Sequence, residues 1–292
     1  MIERYKLTKK VGILGIIGNL FLFVIKIIIG YISNSMSMIG DAINSAGDVF
    51  ASFMTWLGNK ISSVPNDSDH NYGHGKAEYI FSLLIGISMM IVSVKLLYDS
   101  FFSIINHNKV LFSWNLVLIA IITILTKLLL YLYSKYAYAK TDNLLIKSNM
   151  FDHRNDIFIT SFTLLAIILS YYNINFIDGI VGIGISIWIF ISGMKLYKES
   201  YDVLMDQAID NDSKNKILKI IKSHKEIKRI GDIYSIPIGY KYIIVVKIYV
   251  NGKMKTIESH KIADNLEEEI IKSLPIIENV LIHVEPYIEK NS

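Results

Sequence analysis

The sequence predicts an all-α transmembrane bundle of six helices followed by a small cytoplasmic α+β domain. The composition is the first indication, because 52% of the 292 residues are hydrophobic and only 19% are charged, whereas soluble domains carry about 25% charged residues. The apolar residues also cluster in six stretches that each reach the roughly 20 residues needed to cross a bilayer. After about residue 205 the sequence becomes more polar. We therefore expect a membrane domain at 1–204 and a cytoplasmic regulatory or dimerisation domain at 205–292.

The connections between the six apolar stretches alternate in length: "SNSM" and "YNIN" are tight links, whereas those between spans two and three and between spans four and five are longer and more polar. The first apolar stretch is too long for the hydrophobic region of a signal peptide, so it is expected to remain as a span. The absence of cysteine excludes disulfides and thiolate metal sites. The predicted spans are residues 11–32, 36–60, 78–104, 111–138, 143–171 and 176–197.

Lysine and arginine residues indicate the orientation of the bundle. They are frequent before the first span and around the connections between spans two and three and between spans four and five. Because short cytoplasmic loops are enriched in these residues, we expect both termini in the cytoplasm, with a bacterial inner membrane as the location. No basic stripe with interleaved aromatics is present, so lipid and not nucleic acid is the expected surface partner. The basic residues are Arg4, Lys6, Lys9, Lys10, Lys60, Lys76, Lys135 and Lys140.

The last 85 or so residues predict the element order α-β-β-α-β, which is that of a ferredoxin-like or metallochaperone-like domain. The stretch "DNDSKNKILKIIKSHK" has the pattern of an amphipathic helix, with Asp212 or Ser213 as its N-cap. The stretches "IGDIYSIPIG" and "YKYIIVVKIYV" alternate as strands do. A second helix and a closing strand, "ENVLIHVEP", complete a two-layer domain.

Two pairs of oxygen-bearing side chains lie within the predicted spans. In span two, Asn44 and Asp48 are four residues apart, and in span five Asp152 and Asp156 repeat this spacing. Residues four apart share a helix face. With a rise of about 1.5 Å per residue, the first pair lies roughly 18–24 Å from the cytoplasmic end of its span, and the second pair roughly 13–20 Å from that of its own. An isolated intramembrane Asp often only hydrogen-bonds a neighbouring helix, but two matched pairs at similar depth predict a site for a divalent cation.

Other polar residues near these pairs are less informative. Asp41 also lies on the face of span two, where it could line an outer vestibule or simply begin the helix. His153 and Arg154 are expected to point away from the pair, toward a cavity or a partner helix. Most of the lysines within the spans, Lys127 among them, are expected to snorkel to an interface, while Lys26 is deeper and needs a partner that the sequence does not identify.

Two other classes of protein compete with a cation site. An intramembrane aspartyl hydrolase also uses two Asp residues on facing helices, but its Gly-x-Gly-Asp signature is absent, since Asp41 follows Ile-Gly and Asp48 follows Ala-Gly. A metal sensor or scaffold without transport activity would explain the C-terminal domain, but it would not explain the two pairs of oxygen-bearing side chains within the spans.

The motifs "GDAINSAGDVFAS", "DHNYGHGKAEYI" and "FDHRNDIFITS" resemble those of the cation diffusion facilitator family, and the resemblance covers nearly the whole chain. It implies a homodimeric antiporter that exports divalent metal from the cytoplasm in exchange for protons, with its transport site between spans two and five. No resident cofactor is implied, only the transported cation.

The donor types at the predicted site favour manganese. Zinc-transporting members usually place His or Asp at the first position and His at the third, where this sequence has Asn44 and Asp152. Oxygen donors suit Mn²⁺, whereas Zn²⁺ favours nitrogen and sulfur. The pattern also resembles the manganese branch, so we expect Mn²⁺, with Zn²⁺, Fe²⁺ and Co²⁺ as weaker substrates and a zinc or iron exporter as the alternative. Clustered carboxylates repel one another until they take up a proton or a dication, which is the chemistry of metal/proton exchange.

The resemblance also implies roles outside the spans. In zinc members the loop after span two holds a second metal site, whose counterparts here are Asp67, His70 and His74. The two histidines are four apart and could face one ion if the loop continued as a helix; the alternative is a purely structural loop. Lys76 and Asp206 match a charge interlock at the dimer interface, although a lysine at a membrane edge is often only an anchor.

The resemblance also implies a metal site in the cytoplasmic domain, but this sequence has only part of its ligand set. His260, His283 and Glu285 match part of it, but Gly231 and Lys247 stand where two further histidines would be expected. We therefore expect at most one metal on a reduced ligand set, with ordinary solvated histidines as the alternative.

Overall fold

The computed structural model describes residues 2–32, 36–105, 113–170 and 177–288, apart from some side chains near the helix ends. Six long helices come first, followed by a smaller domain of two helices and three strands. The long helices are α1 (Ile2–Ile32), α2 (Met36–Ser62), α3 (Ala77–Ile105), α4 (Trp114–Thr141), α5 (Leu144–Ser170) and α6 (Ile177–Leu204). The predicted fold class, a six-helix bundle followed by an α+β domain, is confirmed.

The chain divides into two compact units. The first contains residues 1–64 and 77–201, and therefore most of the six long helices. The second contains residues 202–292 together with the connection 65–76. The sequence-based boundary at 204 separates the same helices from the same α+β domain but leaves the connection 65–76 with the membrane domain.

Three of the long helices qualify as membrane spans by length and composition among the residues that the structure describes: Glu3–Ile29, Ala77–Phe102 and Trp114–Thr141, with mean hydropathies of 2.5, 2.3 and 2.4. The outer faces of these helices expose large apolar side chains, including Ile17, Phe21, Ile91 and Leu129. Such an apolar surface fits contact with lipid. Helices α2 and α5, which carry the predicted cation ligands, are each 27 residues long.

Small and polar residues hold α1, α2 and α5 together. A Cβ at Gly15 of α1 would lie 2.6 Å from Ser52 Oγ of α2, so only glycine permits this approach. Asn19 of α1 donates to Ser52 Oγ at 3.1 Å and to the backbone carbonyl of Asp48 at 3.1 Å. Asn149 of α5 donates to Thr55 of α2. This buried network fixes α2 beside α5, and it lies within a turn or two of both predicted cation-binding pairs.

A buried ion pair joins four helices near one end of the bundle. The guanidinium of Arg4 forms two 2.7 Å contacts with the carboxylate of Glu78 at the start of α3. Glu78 also accepts the backbone N–H of Leu144 at the start of α5, at 2.8 Å, and Arg4 donates to the carbonyl of Thr141 at the end of α4, at 3.2 Å. The side chains of Arg4 and Glu78 are 9% and 2% exposed, so each charge depends on the other.

The second unit is a two-layer α+β domain. Its elements are α7 (Asn211–Ser223), β1 (Ile227–Pro237), β2 (Tyr242–Asn251), α8 (Thr256–Ser273) and β3 (Ile277–Tyr287). The sheet order is β1-β2-β3, with β2 antiparallel to β1 and parallel to β3. Alternate residues of β2, from Ile244 to Val250, pack against buried side chains such as Ile217 of α7 and Leu266 of α8. The predicted order α-β-β-α-β is confirmed.

The N-cap of α7 differs from the expected one. Asp210 and not Asp212 or Ser213 precedes the helix, and its carboxylate accepts the backbone N–H of Ser213 at 2.9 Å. The prediction was wrong because the stretch "DNDS" offers several good capping residues in succession, and only the packing of α7 selects among them. The accepted N–H bonds lower the pKa of Asp210.

We predict that Asp210→Ala destabilises the C-terminal domain by about 1 kcal/mol at neutral pH, the usual value of an N-cap. Because the folded-state pKa is lowered, this contribution is present above the unfolded pKa and disappears as the pH falls through the folded one. Urea unfolding of residues 202–288 at several pH values measures it. Asp210→Asn is the control, since an amide oxygen caps at every pH; a loss as large for Asn as for Ala would contradict the assignment.

Candidate metal transport site

Carboxylates from α2 and α5 converge on a single cationic group. Asp48 Oδ2 lies 2.7 Å from Lys127 Nζ of α4, and Asp156 Oδ2 accepts a hydrogen bond from the same ammonium. The lysine side chain is 1% exposed and the two aspartates are each 14% exposed. Both carboxylates therefore point toward the interior of the bundle, where they bind a positive charge.

Asp152 completes the acidic cluster. One donor atom each from Asp152, His153 and Asp156 lie within 4.8 Å of one another. The Oδ2 of Asp152 is buried and has no hydrogen-bond partner among the described residues. A buried carboxylate oxygen without a partner is costly, and a cation placed beside Asp156 would satisfy it.

The position of His153 differs from the expected one. Its ring is fully buried, both ring nitrogens lack hydrogen-bond partners among the described residues, and one of them belongs to the group with Asp152 and Asp156. It was expected to point elsewhere because it flanks the pair. Adjacent residues are only about 100° apart around a helix, so its ring can still lie near the carboxylates of Asp152 and Asp156. An imidazole is therefore near the carboxylates. Arg154 does point away, donating to Ser192 of α6 at 3.1 Å.

Two of the predicted residues in α2 lie outside the described part of the chain. The side chains of Asn44, the fourth predicted ligand, and of Asp41, the vestibule candidate, are among those that the structure does not describe. Their roles stay predictions from the sequence.

Lys127 is the residue of this cluster that the sequence did not indicate as a site residue. It was grouped with lysines expected to snorkel, yet it lies near the middle of Trp114–Thr141, about 20 Å from either end, which is beyond the reach of a lysine side chain. That depth, together with three carboxylates at similar depth, was the available signal. The deep Lys26 donates to Ser45 of α2 at 3.0 Å.

The connection 65–76 gathers its three candidate ligands without forming a helix. Asp67 Oδ1 accepts the backbone N–H groups of Asp69 and His70 at 3.0 and 2.7 Å, and His74 Nε2 lies 3.6 Å from Asp67 Oδ2. The condition that the loop continue as a helix is not met, but a turn around Asp67 brings the side chains within 4.8 Å of one another. The N–H of His70, more than any other group, lowers the pKa of Asp67 and so keeps it ionised as a ligand must be.

The interlock residues lie within hydrogen-bond distance in one chain. Lys76 Nζ lies 2.8 Å from Asp206 Oδ1, and both side chains are exposed. A pair of this kind contributes little on its own, so any larger effect would have to come from a partner subunit.

The cytoplasmic candidates do not form a three-ligand group among the described residues. His283 pairs with Glu285 at 2.8 Å, and His260 pairs with Asp264 at 3.1 Å. The two positions that lack histidine are neighbours, because Gly231 and Asp232 together oppose Lys247 in a β-bulge. A Cβ at Gly231 would lie 3.0 Å from the stem of Lys247, so the lysine fills the space of the missing side chain.

Comparison with known proteins gives the family. The model of the cation efflux transmembrane domain matches residues 12–205, and that of the cation efflux protein cytoplasmic domain matches residues 209–287. The manganese efflux system protein MneP of Bacillus subtilis (strain 168) is 30% identical over 295 residues, covering 99% of each chain. The cation-efflux pump FieF of Shewanella oneidensis is 27% identical over 267 residues, covering 91% of this chain and 90% of that one.

A solved structure, the metal-bound C-terminal domain of the CzcD transporter from Thermotoga maritima, is also similar to this chain. It has 25% identity and a TM-score of 0.27, and the match covers 29% of this chain and all of that one.

The helical bundle, its buried carboxylate cluster and these matches define an integral membrane transporter rather than an enzyme. The chain belongs to the cation efflux family. The resemblance to the cation diffusion facilitators is thereby confirmed, and the match to the family's cytoplasmic domain supports a homodimer.

Proposed function

We propose that this chain exports a divalent metal cation, Mn²⁺ foremost, from the cytoplasm in exchange for protons. The observation that carries the proposal is the convergence of Asp48 and Asp156 on one buried positive charge. Asp152 lies beside Asp156, and its Oδ2 has no hydrogen-bond partner among the described residues. A cluster that already binds one cation between α2 and α5 has the charge and the donors to bind a metal ion. We propose Asn44 as its fourth oxygen donor.

The donor set supports manganese as the substrate. Three carboxylates and an amide are hard oxygen ligands, which suit Mn²⁺ better than they suit Zn²⁺. One relative is named a manganese efflux system protein. His153 lies near these carboxylates, and an imidazole also suits zinc and iron. The preference for manganese therefore depends on the imidazole staying out of the coordination sphere.

Proton exchange follows from the same carboxylates. Three carboxylates around the single ammonium of Lys127 leave negative charge that a proton can neutralise when no metal is bound, and a dication favours the ionised forms. Metal binding then releases protons on one side, and protonation releases metal on the other, while the bundle alternates between inward and outward states. With both termini in the cytoplasm, this direction of exchange removes metal from the cell.

Flux into proteoliposomes tests the proposal. Purified protein is reconstituted with a pH-sensitive dye and a metal-sensitive dye inside, and Mn²⁺, Zn²⁺, Fe²⁺ and Co²⁺ are added in turn. We expect Mn²⁺ to give the fastest metal entry, accompanied by proton exit. Faster transport of Zn²⁺ than of Mn²⁺ would reverse the assignment of the metal, and metal movement without proton movement would exclude exchange.

Asp152→His should shift the selectivity toward zinc. The substitution replaces a carboxylate by an imidazole within the cluster, and we expect the ratio of Zn²⁺ flux to Mn²⁺ flux to rise on the order of tenfold, given the preference of zinc for nitrogen donors. The flux assay above measures the ratio. Asp99→His, which adds an imidazole at an exposed position of α3, is the control and should leave the ratio unchanged. An unchanged ratio in Asp152→His would remove Asp152 from the coordination sphere.

A further inference from the structure

Lys127 holds the position that a transported cation would take. Its ammonium is almost fully buried and hydrogen-bonds the Oδ2 atoms of Asp48 and Asp156, which come from two different helices. We propose that Lys127 is a tethered counter-ion that competes with the metal for Asp48 and Asp156 and has to leave them before the site can close around the metal. This inference rests on the proposed function.

Competition follows from the atoms involved. A lysine ammonium has three donors and no lone pair, so it cannot itself be a metal ligand. It shares its two acceptor oxygens with the proposed coordination sphere, and at such distances a dication and an ammonium repel each other strongly in a protein interior. The two cations therefore exclude each other from the same oxygens.

The cluster also places three carboxylates around the ammonium of Lys127. The charges of Asp48, Asp152 and Asp156 all act on the ammonium, but Asp152 Oδ2 accepts no hydrogen bond among the described residues. Asp152 is thus the carboxylate open to an arriving metal while the lysine still holds the other two. The ammonium therefore hydrogen-bonds only two of the three carboxylates, as expected of a counter-ion that a metal can displace.

A purely structural ion pair would behave differently. If Lys127 only joined α4 to α2 and α5, its removal would loosen the site and weaken metal binding. If it competes, its removal strengthens binding and slows release. The two roles therefore predict opposite changes in affinity and a different split between half-saturating concentration and maximal rate.

The test uses the full-length protein and Mn²⁺ as the probe. Lys127→Met removes the charge but keeps an unbranched chain, and Lys127→Arg keeps the charge. We expect Lys127→Met to bind Mn²⁺ at least about tenfold more tightly than the wild type by titration calorimetry at neutral and at alkaline pH. In proteoliposomes we expect a lower half-saturating concentration together with a lower maximal rate. Lys127→Arg should keep the weaker binding.

The control is Lys95→Met, which removes an exposed lysine from α3 and should bind as the wild type does. Equal or weaker binding by Lys127→Met overturns the inference. If that variant does not fold, Lys127→Gln takes its place, because it keeps hydrogen-bond donors without the charge; failure of both to fold would also overturn the inference, since the ion pair would then be structural.

Failure of the proposed function looks different. In that case the wild-type protein neither binds nor transports Mn²⁺ or any other metal of the panel, before any variant is compared. A wild type that transports Mn²⁺, together with Lys127→Met that binds it no more tightly, overturns only the role of Lys127.

Discussion

Replacing Asp156 with Asn should reduce Mn²⁺ transport on the order of 100-fold, the equivalent of about 3 kcal/mol. The substitution preserves the shape of the side chain but removes one of the charges that face the buried ammonium. An amide can still offer one oxygen to a metal, but it neither balances the charge of a dication nor takes up and releases a proton by titration. Metal entry and proton exit in proteoliposomes should therefore fall together.

The matched control is Asp99→Asn, the same chemical change at an exposed position of α3, which should transport at the wild-type rate. Asp156→Asn has to remain monodisperse in detergent for the comparison to hold, and Lys127 keeps Asp48 as a partner in it. Transport by Asp156→Asn at the rate of the control would remove Asp156 from the mechanism.

The largest effect on stability is expected from Glu78→Gln. This change leaves the guanidinium of Arg4 buried without its counter-charge, and removing one partner of a buried pair typically costs about 3–5 kcal/mol. For a bundle of this size the apparent Tm in detergent should fall by on the order of 10 °C. A thermal-shift series by size-exclusion chromatography measures the loss.

Glu199→Gln is the control, because the Lys147–Glu199 pair is less buried, at 14% and 33%, and pairs nearer to solvent contribute less than fully buried ones. The double variant Arg4→Gln with Glu78→Gln should recover part of the lost stability, since it leaves no unpaired charge. If Glu78→Gln and Glu199→Gln lower the Tm equally, Arg4–Glu78 does not brace the bundle as described.

Local patterns in the sequence account for much of the fold. The six long helices could be predicted because a bilayer requires long apolar helices, and the strands because alternation matches a half-buried sheet. The meeting of Asp48 and Asp156 could be predicted from each helix separately. The four-residue spacing shows which residues share a face, and the rise per residue gives their depth.

The remainder depends on contacts between residues far apart in the chain. Lys127 lies 79 residues from Asp48, and Arg4 lies 74 residues from Glu78, so neither pairing leaves a local pattern. The direction of the His153 ring depends on packing around α5, and the choice of Asp210 as N-cap depends on how α7 packs. The bulge opposite Lys247 depends on the register between β1 and β2. The alternating pattern within one strand does not determine that register.

The most direct measurement is the anomalous scattering of Mn²⁺ from crystals of the full-length protein. The central claim is that oxygen donors from α2 and α5 bind one divalent cation between them. We predict an anomalous peak coordinated by Asp48, Asp152 and Asp156, with Lys127 Nζ moved away from Asp48 and Asp156. Peaks confined to the connection 65–76 or to the C-terminal domain, with Lys127 still bonded to both aspartates at saturating Mn²⁺, would contradict it.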